Sequence, residues 1–142
     1  MSDSQKPYII ELPRIYDPRG SLSFAEDNRQ VPFEIKRAYW IYDVPGGESR
    51  GGHSHKASES VIIAAGGSFI VSLFDGYETL SFTLDKPWQG LFVPPGYWRV
   101  LEDFSPGSVC MVLTSTLYSE EDYERDYNLF LIDARKRKEA RR

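Results

Sequence analysis

Short apolar runs broken by turn-forming residues constrain this chain more than any other feature. From Ser58 to Ser115 the breaks are Gly66-Gly67, Asp75-Gly76 and Pro94-Pro95-Gly96. Glycine admits positive φ and proline lacks a backbone donor, so no long helix passes through these points. The segments between them suit strands. Residues 68–74 interleave serine with Phe69, Ile70, Val71 and Leu73, and Asp75-Gly76 then signals a hairpin. Residues 35–44 form an aromatic, β-branched run. Further strands are expected at 58–65, 77–84, 90–93, 97–102 and 109–115. Residues 8–12 and 21–25 add two more around the turn Asp17-Pro18-Arg19-Gly20. Many short strands predict an all-β sandwich or barrel.

The C-terminus changes character. Ser119-Glu120-Glu121-Asp122 predicts a helix start, with Ser119 as cap and acids in the first turn. A second short helix is expected over 129–138. Tyr118, Tyr123 and Tyr127 follow helical spacing and read as packing. The 142 residues form one domain, 1–142, with a helical tail over about 119–142.

Composition excludes several classes. Cys110 is the single cysteine, so no disulfide framework exists within the chain. It lies in the apolar run 109–113 and reads as a small buried hydrophobe. No apolar run reaches the length of a membrane span, and the first residues hold no signal-peptide core. A cytoplasmic protein is expected. The net charge is −4, while residues 134–142 carry six basic side chains and one glutamate, a local +5. The rest of the chain is therefore at −9, which argues against nucleic-acid binding. The basic tail reads as a solvated, frayed helix end.

The only two histidines lie two residues apart, in Arg50-Gly51-Gly52-His53-Ser54-His55-Lys56. On a strand both imidazoles face one side. Histidine is the side chain best suited to move protons near neutral pH. The spacing His53-x-His55-x3-Glu59-x6-Gly66 resembles the first signature of the cupin superfamily, whose fold is a double-sheet jelly roll. The second cupin signature resembles Pro94-Pro95-Gly96-Tyr97-Trp98-Arg99, with Arg99 where metal-binding cupins place a histidine. Arginine has no lone pair to give a metal.

A wider resemblance covers most of the chain. It rests on residues 35–43, the block from Arg50 to Lys56, Asp75-Gly76, Thr83-Leu84-Asp85, residues 109–115, and Tyr118-x3-Asp122-Tyr123-x-Arg125-Asp126-Tyr127. The opening Asp17-Pro18-Arg19-Gly20-Ser21-Leu22 also fits. The chain resembles the dTDP-sugar 3,4-ketoisomerases, cupin enzymes of deoxysugar biosynthesis. That resemblance implies the substrate dTDP-4-keto-6-deoxyglucose, no metal or other cofactor, and a homodimer that exchanges N-terminal strands.

Moving a ketone from C4 to C3 requires a proton to leave one carbon and another to reach its neighbour, through an enediol. One base serves both carbons, neutral at working pH and near its pKa. The resemblance assigns that base to His53. His55 would share the wall, orienting the sugar or handling the hydroxyl proton. Tyr39 matches a family active-site tyrosine. Arg99 would offset charge on the enediolate oxygen. Arg50 suits the pyrophosphate, with Arg19 and Lys56 as further candidates. Trp98 would wall the sugar pocket or fill the barrel. Glu59 would hold a histidine, pair with Arg99, or form a structural ion pair. Three rivals stand beside this assignment: a 3,5-epimerase of the same substrate, a metal-dependent cupin, and a nucleotide-sugar-binding cupin without catalysis. The absence of a histidine outside the 53–55 pair weighs against the epimerase.

Overall fold

The computed structural model describes residues 5–141. Residues 1–4, within the N-terminal stretch expected to hold no signal-peptide core, and the last basic residue, 142, lie outside them. Strands β1 (Tyr8–Glu11), β4 (Arg37–Tyr42), β6 (Ser60–Gly66), β9 (Gln89–Val93) and β11 (Val109–Thr114) form one sheet, in the order β1-β9-β6-β11-β4. Strands β5 (Arg50–His55), β7 (Phe69–Phe74), β8 (Thr79–Leu84), β10 (Trp98–Glu102) and β12 (Tyr123–Glu124) form the second, in the order β12-β5-β10-β7-β8. β2 (Arg14–Asp17) and β3 (Gly20–Ser23) pair as a separate hairpin. All pairings within these sheets are antiparallel. The architecture is the cupin-type jelly roll expected from the sequence.

Phe69, Val71 and Leu73 of β7 and Ile62, Leu91 and Val112 of the facing sheet fill the space between sheets. The strict alternation of β7 follows from having one face on this core. β6 does not alternate: Val61 through Ala64 are all buried. Its outer face is covered as well, because Val61 and Ile63 pack with Leu12, Val31, Phe33 and Leu113 in a second cluster. A strand covered on both sides reads as a continuous apolar run.

The C-terminal expectation needs correction. Glu120–Asp122 is a single 3-10 turn, and Ser119 makes no capping hydrogen bond from its side chain. Tyr123 and Glu124 then pair with His55 and Ser54 as a strand. The chain is pulled into the second sheet, which overrides local helix signals. The one α-helix of the described residues, α1 (Tyr127–Ala140), starts at Asp126, whose carboxylate accepts the Leu129 N–H. It packs Phe130 and Ala134 over the outer face of the second sheet. The basic tail is docked rather than frayed. Arg135 donates to the Gly76 carbonyl at 3.0 Å, and Lys138 pairs with Asp75 at 2.7 Å.

Candidate active site

Alternation along β5 turns His53 and His55 inward and Ser54 outward. Their placement depends on a bulge. Arg99 of β10 pairs with His53 and Val100 with Gly51, so Gly52 is an extra residue on β5. Gly51 has φ +94°, and a Cβ there would sit 2.7 Å from the Arg99 carbonyl oxygen. Only glycine lets the two strands approach this closely. The Gly51-Gly52 pair thus sets His53 directly across from Arg99.

Around them lies a cavity of about 620 Å³, walled by Arg37 and Tyr39 of β4, Arg50, His53, Arg99, Tyr118 and Tyr123. Arg99 is fully enclosed, at 2% exposure. Its Nη2 donates to Ser60 Oγ at 3.3 Å, while Nε and Nη1 have no hydrogen-bond partner among the described residues. Burial lowers its pKa, against the pull of Tyr39 and Tyr123, but a guanidinium stays protonated in proteins. A buried cation without a matched carboxylate is an anion receptor by its electrostatics.

The same burial and the same cation govern the histidines. Burial first, then Arg99, push His53 down to about 3. Burial and Arg99 push His55 down to about 4, although Asp122 pulls the other way. Both imidazoles are neutral near pH 7. The sequence suggests a base whose pKa lies near the working pH; in this chain the His53 pKa lies well below that pH. Burial raises the Tyr39 phenol, with Arg99 opposing, so it remains a donor. Burial also pushes the Cys110 thiol up to about 12, which leaves it unreactive.

His55 stands behind the cavity wall. Its ring is sealed at 1% exposure, 5.0 Å from the His53 ring and 4.5 Å from that of Tyr123. Its Nδ1 lies 2.7 Å from Asp122 Oδ2. Among the described residues, no group of three or more His, Cys, Asp or Glu side chains is arranged to hold a metal ion.

The structure brings His53, Tyr39, Arg99 and Arg50 to one cavity, with His55 behind it. Four other candidates lie elsewhere within this chain. Trp98 precedes Arg99 on β10, so alternation turns it outward, against Tyr127 and Phe130 of α1. Lys56 follows β5 on the opposite side, in a separate cleft with Pro95, Gly96 and Arg137. Arg19 sits at the tip of the β2–β3 hairpin, paired with Asp17 at 2.8 Å and 90% exposed. Glu59 has a half-buried carboxyl whose pKa is raised by burial, and its backbone is tied to Ser115 and to the Ser58 hydroxyl. The carboxylate that holds a histidine is Asp122. Asp122 and Tyr123 were the missed residues. Their helical spacing hid them, although a buried imidazole N–H requires some acceptor.

Comparison with known proteins places this fold in a family. The family model FdtA, described as WxcM-like, C-terminal, matches residues 5–135. A TDP-4-oxo-6-deoxy-alpha-D-glucose-3,4-oxoisomerase from Aneurinibacillus thermoaerophilus is 46% identical over 122 residues, 86% of this chain and 88% of the relative. The crystal structure of QdtA, a sugar 3,4-ketoisomerase from Thermoanaerobacterium thermosaccharolyticum in complex with TDP, aligns with a TM-score of 0.91 at 37% identity, over 92% of this chain and 96% of QdtA. A histidine-to-asparagine variant of QdtA has been solved with TDP-4-keto-6-deoxyglucose. The TDP-quinovose 3,4-ketoisomerase WlaRB of Campylobacter jejuni aligns with a TM-score of 0.85 at 40% identity, over 90% and 98% of the two chains. Family match, sequence relatives and fold agree over nearly the whole length, and the chain belongs to the FdtA family of TDP-sugar 3,4-ketoisomerases.

Proposed function

We propose that this protein converts dTDP-4-keto-6-deoxy-D-glucose to a dTDP-3-keto-6-deoxyhexose with its own side chains and no metal. The observation that carries this is the fully buried Arg99 guanidinium, with unpartnered N–H groups, beside a neutral imidazole and a protonated phenol on one cavity. His53 takes the proton from C3, and the C–H electron pair forms the C3–C4 double bond as the C4 carbonyl oxygen gains negative charge. Tyr39 gives its phenolic proton to that oxygen while accepting the C3 hydroxyl proton. The C3 oxygen then re-forms a carbonyl, and C4 takes the proton held by His53. Arg99 offsets the oxyanion charge at each stage, an electrostatic contribution that commonly dominates such reactions. The negative charge brought by the substrate also raises the His53 pKa towards the working range. Arg50, exposed at the cavity rim, receives the pyrophosphate. His55 backs His53 rather than touching the sugar.

The same proposal includes a homodimer that exchanges N-terminal strands. Ile15, Tyr16 and Leu22 of the β2–β3 hairpin are more than half exposed. An apolar cleft of about 470 Å³, walled by Phe24, Ile35, Trp88 and Met111, lies beside this hairpin's own strands. Sedimentation equilibrium of the purified chain checks this; a monomer at micromolar concentration refutes it.

Incubation with dTDP-4-keto-6-deoxyglucose in heavy water, followed by NMR, tests the reaction. Formation of a 3-keto product with deuterium at a ring carbon is expected. Tight binding without product or exchange would instead make this a binding cupin.

A further inference from the structure

Ser60 opens β6, in the sheet opposite β10. It shares a face with Ile62, so alternation turns its hydroxyl into the space between the sheets. There Oγ accepts from Arg99 Nη2 at 3.3 Å, a bond that crosses from one sheet to the other. It is the single hydrogen bond of the Arg99 side chain among the described residues; Nε and Nη1 have none. Ser60 is fully buried and does not wall the cavity, so it sits out of the substrate's reach. The neighbouring position repeats the arrangement. Thr114 of β11 lies opposite Ser60 on one side and Arg37 of β4 on the other. Its Oγ1 accepts from Arg37 Nε at 3.2 Å and donates to the Thr116 carbonyl at 2.8 Å. Two arginines that wall the cavity are thus held by neutral hydroxyls, and among the described residues neither is paired with a carboxylate. A carboxylate would grip a guanidinium more tightly but cancel the charge that the cavity presents. A hydroxyl fixes direction and leaves the charge whole.

Resting on the proposed ketoisomerisation, we infer that Ser60 is a positioning residue: its hydroxyl anchors one guanidinium nitrogen of Arg99 and so holds the remaining N–H groups, at full positive charge, where the enediolate oxygen forms. Ser60 makes and breaks no bond to the substrate. The register of β10 fixes only the Arg99 backbone, and a long side chain keeps rotamer freedom beyond it. The Ser60 anchor removes that freedom before the sugar arrives. A donor already aimed costs no reorganisation when charge develops, which is the condition for electrostatic stabilisation of a transition state.

Ser60→Ala tests the inference. It removes one oxygen and leaves Nη2 unpartnered as well. The expected result is a kcat lower by about 10- to 100-fold. KM and dTDP affinity stay within about threefold, the pattern of an interaction made in the transition state. Ser60→Thr keeps the oxygen and is expected to hold kcat within about threefold of native. Nitrogen-15 NMR gives a readout apart from turnover. The two Arg99 Nη groups are expected to be distinct in the native protein, because an anchored guanidinium rotates slowly, and to average in Ser60→Ala. A native kcat in Ser60→Ala overturns the inference, as does an Arg99 signal unchanged by that substitution. A folded Ser60→Thr as slow as Ser60→Ala overturns it too. So does a parallel fall in dTDP affinity and urea midpoint, which marks general loosening of the site. If neither variant folds, the native protein decides: averaged Nη signals refute the anchor and distinct ones support it. Failure of the native protein to isomerise the sugar would sink the parent reaction while leaving the NMR comparison to judge the anchor.

Discussion

Enclosing one arginine beside two imidazoles sets the protonation of all three. Arg99 and burial together keep His53 neutral, and neutrality is what a proton acceptor requires. His53→Asn is therefore expected to abolish turnover, below about one thousandth of native kcat, while dTDP affinity stays within about threefold by calorimetry. Normal turnover would remove His53 from the chemistry. Arg50 acts at longer range and in water. Arg50→Ala is expected to weaken dTDP binding by about tenfold at low ionic strength, with the difference shrinking as added salt screens the charge. Unchanged affinity at low salt would return Arg50 to ordinary surface charge. These assignments were partly legible, because a two-histidine block and an arginine in a histidine's place stand out in one dimension. Asp122 did not stand out. It reaches His55 from 67 residues away, and its neighbours carry the local signature of a helix.

At the level of elements, β5 and β10 do the placing. The bulge at Gly52 shifts register between Arg99 and Val100, and this shift brings His53 opposite Arg99. Gly51→Ala forces a positive φ on a side chain and drives its Cβ into the Arg99 carbonyl. A loss of about 1–3 kcal/mol in urea unfolding is expected, together with reduced kcat, since the strand must back away from β10. A native unfolding midpoint would mean that the bulge is not constrained. Alternation along β10 sorts Trp98 from Arg99 with the same economy: one faces α1 and the other the cavity. Sequence inspection named both residues for the site. The register needed to separate them comes from β5 and β7, which hold β10 between them.

For the molecule as a whole, the buried neutral histidines link stability to pH. Unfolded, each titrates near its ordinary value of 6.5; folded, His53 does so at about 3 and His55 at about 4. Above pH 6.5 neither state binds these protons. Below it the unfolded chain binds them and the folded chain does not, so stability falls with pH until the folded values are reached. The slope is about 1.4 kcal/mol per pH unit per histidine. Urea midpoints are expected to drop steadily from pH 6.5 to pH 4.5, and His53→Asn should remove about half of that slope. A flat profile would mean that the imidazoles titrate normally.

The chain's own residues determined the strands, the turns between them and the pair of imidazoles on one face. These follow from side-chain period and turn chemistry, which act over a few residues. Tertiary structure alone decided that β12 and not a helix follows Glu120–Asp122, that a distant carboxylate fixes His55, and that Arg99 rather than Trp98 enters the cavity. Those outcomes depend on which strands meet and in what register. That is settled by burying both sheets at once, not by any local stretch of sequence.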